Sequence, residues 1–120
     1  MKYTLVVLIA LMILIPQLSG SAIHRPQAVS VDDICQLYGT FYVEEVAAFA
    51  NYRVHINDNE AFADLKVYVH DSEIFADRPG HWYETNVKAF ADFTIYKEKV
   101  EGFADFSVAF TTFRTSAGCN

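Results

Sequence analysis

From residue 40 onward, short runs with an apolar or aromatic residue at every second place alternate with short polar runs. The extended runs are Thr40-Phe41-Tyr42-Val43, Arg53-Val54-His55-Ile56, Lys66-Val67-Tyr68-Val69 and Thr94-Ile95-Tyr96. Period-two alternation rich in β-branched and aromatic residues predicts half-buried strands. The polar stretches that follow, such as Asn57-Asp58-Asn59-Glu60 and Asp71-Ser72-Glu73, predict a turn or a single helical turn.

The alternation belongs to a repeat. Phe49-Ala50, Phe62-Ala63, Phe75-Ala76, Phe90-Ala91 and Phe103-Ala104 are spaced 13, 13, 15 and 13 residues apart, and each pair is followed by Asn or Asp. Cutting at the period gives TFYVEEVAAFANY (40–52), RVHINDNEAFADL (53–65), KVYVHDSEIFADR (66–78), HWYETNVKAFADF (81–93) and TIYKEKVEGFADF (94–106). Pro79-Gly80 is the one interruption, and a degenerate copy begins at Ser107. Thirteen residues cannot hold two strands and a crossover helix, which itself needs about a dozen residues. One unit cannot bury its own apolar face, so the copies must share a core. The expected fold is a compact single all-β domain of about six short strands built from these 13-residue tandem repeats.

Outside the repeat, Thr4 to Ile15 is almost wholly apolar, follows Lys2, and gives way to Pro16 and the small residues Ser19-Gly20-Ser21-Ala22. That order predicts a secretory signal peptide over 1–22, cut after Ala22 or Gly20. The apolar run is shorter than the roughly 20 residues of a spanning helix, so no membrane insertion is expected after signal removal. Residues 23–37 show no period and are expected to form a flexible N-terminal lead, with the repeat domain over 38–120. Without Lys2, 8 basic residues stand against 15 acidic ones, a net charge of −7 with His neutral. This disfavours nucleic acid and anionic membrane surfaces as partners, because phosphate binding rests on a positive field. Secretion or a periplasmic location makes Cys35 and Cys119 candidates for a disulfide, against the alternative of two free thiols.

The string Ala63-Asp64-Leu65-Lys66-Val67-Tyr68-Val69, with Ala-Asp returning at 76–77, 91–92 and 104–105, resembles the seven-one septoil knot domain family over about residues 38–118. The resemblance implies an all-β domain whose backbone is threaded into a deep knot, and it brings no catalytic residues. In that family the residue before Ala-Asp is commonly polar, whereas here it is Phe in all five units. The last copy, ending Ala117-Gly118-Cys119-Asn120, has lost its Ala-Asp pair.

Phe49, Phe62, Phe75, Phe90 and Phe103 therefore admit two readings. Facing inward they fill a core, the commoner fate of aromatics. Facing outward they form an aromatic surface for another protein or for self-association, joined by Trp82 and Tyr83 beside the Pro79-Gly80 break. Asn51, Asp64, Asp77, Asp92 and Asp105 are expected to bond a nearby backbone N–H at a turn. They are not expected to hold calcium, because no Asp-x-Asp-x-Asp string occurs. His55, His70 and His81 take different places in their units and are expected as scattered surface histidines. No zinc spacing, nucleophile motif or cofactor motif is present, so no catalytic, metal or cofactor residues are assigned. Glu60, Glu73 and Glu101 share a repeat place and offer only a weak carboxylate-pair reading. The leading expectation is a secreted or periplasmic structural or interaction module without catalysis. The alternatives are a small hydrolase or metal-dependent enzyme using Asp, Glu or His, and a secreted inhibitor or effector.

Overall fold

The computed structural model describes residues 30–119; the expected signal peptide lies outside them. After a short helix α1 (Val31–Cys35), six strands follow: β1 (Gly39–Val43), β2 (Tyr52–Ile56), β3 (Leu65–Val69), β4 (His81–Glu84), β5 (Phe93–Lys97) and β6 (Phe106–Phe110). They close into a barrel in the order β1-β4-β3-β6-β2-β5. Each of the six pairings is parallel. The domain is all-β, as expected.

Parallel neighbours require the chain to return along the outside of the barrel after every strand. The connections 44–51, 57–64, 85–92 and 98–105 do this with eight residues each. Eight residues in near-extended form reach about 26–29 Å, and a five-residue strand is about 17 Å long, so no crossover helix is needed. Each connection instead holds one 3-10 turn: Ala47–Phe49, Glu60–Phe62, Glu73–Phe75, Lys88–Phe90 and Glu101–Phe103, with Arg114–Ser116 after β6. The single helical turn expected from the polar runs is this element.

The path explains the uneven spacing of the repeat. Each eight-residue connection skips one strand: β1 to β2 passes over β5, and β2 to β3 passes over β6. The longer connection at Pro79-Gly80 makes a single step, from β3 to its neighbour β4. β1, β2 and β3 thus take alternate places, and the shifted second circuit of β4, β5 and β6 fills the gaps. Every ladder consequently joins a strand of the first circuit to one of the second, with partners such as Gly39 and Trp82 or Phe41 and Phe93.

The core follows the strand alternation. The second residue of each unit (Phe41, Val54, Val67, Trp82, Ile95 and Val108) is buried to 1% exposure or less. A second inward layer is supplied by Leu65, Phe93 and Phe106, with Tyr52 packed against it. Trp82 is therefore a core residue and not an exposed anchor beside the break. Its ring meets Phe41 at 5.3 Å and Phe93 at 5.0 Å, and its Nε1–H donates to the Leu37 carbonyl at 3.1 Å. The segment His81-Trp82-Tyr83 is strand β4, and only Pro79-Gly80 forms the turn before it.

Part of the aperiodic lead is built into the domain. Ser30 caps α1 through the Asp33 N–H, and Ile34 sits in the core cluster at 3% exposure. Cys35 and Cys119 form a disulfide with Cα atoms 5.4 Å apart.

The recurrent Asp and Asn bond backbone N–H groups, but those of distant strands. Asp92 accepts from Thr40 N (2.8 Å), Asp105 from Arg53 N (2.7 Å), Asp64 from Ser107 N (2.9 Å) and Asn51 from Thr94 N (2.8 Å). These partners lie 43 or 52 residues away, so the side chains clamp one circuit to the other. Gly39 is needed for this: a Cβ there would sit 2.5 Å from the Asp92 carboxylate. In the last copy, which lacks the Asp, the backbone of Gly118 takes over by pairing with Lys66 in both directions. Asp77, at the break, makes no such clamp.

Asp64→Ala is expected to cost about 1–3 kcal/mol, because the buried Ser107 N–H loses its partner. Asp64→Asn should cost distinctly less, since Asn51 already performs the same task opposite Thr94. Urea denaturation of the two variants checks both, and equal losses would show that the carboxylate acts otherwise than as an acceptor.

Candidate functional site

Two features of the surface stand out once the barrel is in place. The first is the Phe set. The 3-10 turns pack outside the strands, and each Phe N–H closes the turn onto the carbonyl three residues earlier, as in Phe62 N to Asn59 O at 3.1 Å. Its side chain then points away from the barrel. Phe49, Phe62, Phe75, Phe90 and Phe103 are 66, 72, 48, 69 and 67% exposed. The inward reading of these residues is thereby overturned: the core is already filled by the inward side chains of the strands. Val46, Val87 and Val100, which open three of the turns, are exposed with them. Among the described residues the five rings do not contact one another; Phe49 instead lies under the Lys88 ammonium and Phe75 under the Arg114 guanidinium. They are distributed over separate crossovers around the barrel. Tyr83 is half-buried on the outer side of β4.

The second feature was not legible as a site from spacing. His70 and His81 are buried, at 4% and 5% exposure, and His70 Nε2 meets His81 Nδ1 at 2.6 Å. They are not scattered surface residues. The pairing arises at the break in the repeat: His70 follows β3, His81 opens β4, and the single-step connection makes these two strands neighbours. Arg78-Pro79-Gly80-His81 is a tight turn closed by His81 N–H onto the Arg78 carbonyl at 3.0 Å. Pro at its second place and Gly at φ +81° at its third suit a type II turn. Gly80 also has no room for a Cβ, which would lie 2.4 Å from Gly118 N.

The turn brings Arg78 and His81 to one side, and the segment after β6 adds Arg114, Thr115 and Ala117 to line an open cleft of about 290 Å³. Arg114 stacks on Tyr68 and Phe75. Tyr68 in turn meets the His70 ring edge-on at 4.7 Å. Burial, chiefly, holds both imidazoles below the ordinary histidine pKa of about 6.5, aided at His70 by the Arg114 and Arg78 guanidiniums and at His81 by Arg78 and then His70. Asp77 opposes this at both rings, at His81 by more than Arg114 contributes there, and Asp71 opposes it at His70.

His55 is placed elsewhere, its Nδ1 against the Glu98 carbonyl at 2.9 Å. Glu60, Glu73 and Glu101 each open a separate 3-10 turn. Among the described residues no three His, Cys, Asp or Glu side chains gather as a metal site, and no helix is long and apolar enough to cross a membrane.

The fold is thus that of a small, disulfide-closed, all-parallel barrel wound in two interleaved circuits. The family model described as the 7(1) septoil knot domain matches residues 34–120, and the chain belongs to that family. No curated protein matches the chain.

Proposed function

We propose that this protein is a secreted or periplasmic interaction module, without catalysis of its own, that engages a protein partner through its Phe-bearing crossovers. One observation carries the reading: the same large apolar side chain stands at the same exposed place in five successive units, outside the core. Solvated crossovers are ordinarily polar, and an exposed aromatic at one place of every unit, although the rings stand apart, offers a partner a set of separate anchors. The net charge of −7 after signal removal favours a partner with an apolar face and a basic rim. The disulfide supports an oxidising compartment. The deep knot implied by the family belongs to the same reading: a backbone whose second circuit lies between the strands of the first resists unravelling and proteolysis.

Phe62→Ser and Phe90→Ser are each expected to change stability by no more than about 0.5 kcal/mol, measured by urea denaturation. A photoreactive phenylalanine analogue at 62 or 90, in the full chain in its native compartment, is expected to cross-link one defined protein. The same analogue at exposed Thr112 should not. A cross-linked homodimer would assign the surface to a second copy. Indiscriminate products from all three positions, or stability losses of several kcal/mol in the Ser variants, would remove the interface reading.

A further inference from the structure

We propose that the cleft formed by Arg78, His81 and Arg114 binds a small doubly charged oxyanion, of the phosphate or sulfate class, with the His70–His81 pair beneath it as the proton-accepting floor. The site stands on geometry. Two of the guanidiniums of the domain converge on one cleft of about 290 Å³, a volume that suits a small ligand. Among the described residues Arg114 has no carboxylate within ion-pair distance, and Arg78 has only its sequence neighbour Asp77, at 3.9 Å and largely exposed. Two guanidiniums sharing one exposed carboxylate favour an anion, and Arg matches oxyanions with paired N–H groups. Thr115 also lines the cleft, and a threonine hydroxyl can donate to an oxyanion. Arg114 is held in place by stacking on Tyr68 and Phe75, and Arg78 and His81 by the turn they flank.

The same charges argue against a metal cation between the two imidazoles, since both guanidiniums would repel it. The negative charge of the rest of the molecule argues against a long polyanion. The ligand is therefore small, or carries a single anionic group.

The floor makes binding proton-linked. The two rings stack on each other, and the charges that act on them are Arg78, Arg114, Asp77 and, at His70, Asp71. With the cleft empty, burial and the guanidiniums disfavour the imidazolium. The unfolded chain then binds protons more readily than the folded one, and stability falls as pH drops below about 6.5. A bound dianion reverses the local field and favours proton uptake by the pair, so affinity rises as pH falls through the same range.

Sulfate is the suitable probe, because its own charge does not change there. Titration of the full, oxidised protein with sulfate at pH 6 and pH 8, at ionic strength matched with chloride, is followed by the imidazole NMR signals of His70 and His81. Saturable shifts, tighter at pH 6, are expected. Arg78→Gln, at a largely exposed side chain, is expected to weaken binding about tenfold or more; Arg114→Gln should do the same. A chloride series that reproduces the shifts, an affinity indifferent to pH, or an unchanged affinity in Arg78→Gln would each overturn the proposal. Saturation by zinc ions in place of sulfate would do so as well. Inorganic phosphate and heparin complete the set: phosphate should compete with sulfate, and heparin binding more tightly than either would contradict a small-anion site. Phe75, which Arg114 overlies, is left unchanged in every variant, and none of these readouts depends on Phe62 or Phe90, so the two proposals fail separately.

Discussion

Replacing both Cys35 and Cys119 by Ser is expected to lower stability by about 4–5 kcal/mol, the loop-closure entropy of a bridge enclosing so long a segment. The two cysteines are 84 residues apart and enclose all six strands. The loss should be one of stability and not of fold, because both ends are anchored without the bridge. Ile34 is buried beside Cys35, and Gly118, beside Cys119, pairs with Lys66 through two backbone bonds. Urea denaturation of the oxidised protein and the double Ser variant measures the difference. The variant should show the larger urea dependence, since its unfolded chain is free to expand. A difference below about 1 kcal/mol would mean that the unfolded chain is constrained by something other than the bridge.

Trp82→Ala should cost about 3–5 kcal/mol, the usual range for emptying a large aromatic site in a core. The indole lies between Phe41 and Phe93, is fully buried, and belongs to the inward layer that all six units contribute. Trp82→Phe should cost less. It retains most of the ring volume, and the Leu37 carbonyl, which loses the indole N–H, still accepts from Gly80 N at 3.1 Å. Thermal and chemical denaturation distinguish these outcomes. A near-neutral Trp82→Ala would require the residue to be at the surface.

Strand positions were legible because alternation is a local property: the runs at 40–43, 53–56, 66–69 and 94–96 all lie within observed strands. Strand partners were not legible. A period states that units are alike, but not which of them touch, and ladders whose partners, such as Gly39 and Trp82 or Phe41 and Phe93, come from distant units leave no mark on local composition. The spacing of 15 among spacings of 13 was the one trace of the path, since the extra residues turn a two-place step into a one-place step. Phe49 and its equivalents were ambiguous because an aromatic residue carries the same hydropathy on either face. Their place after the polar run, out of phase with the strand alternation, was the signal for the surface. Trp82 occupied the same unit place as Val54, Val67, Ile95 and Val108, which indicated its burial. The His70–His81 pair could not be found by spacing, because two residues 11 apart meet only through the connection that breaks the repeat.

The interleaving also governs when order can appear. β1, β2 and β3 pair only with β4, β5 and β6, never among themselves. A chain delivered from its N-terminus therefore has no ladder to form until His81 is available, and five of the six ladders must wait for residues beyond it. Contacts so remote in sequence exact their loop entropy before any reward and fold slowly. The first half of this protein, for as long as it is alone, is a strand-forming segment with nothing to pair.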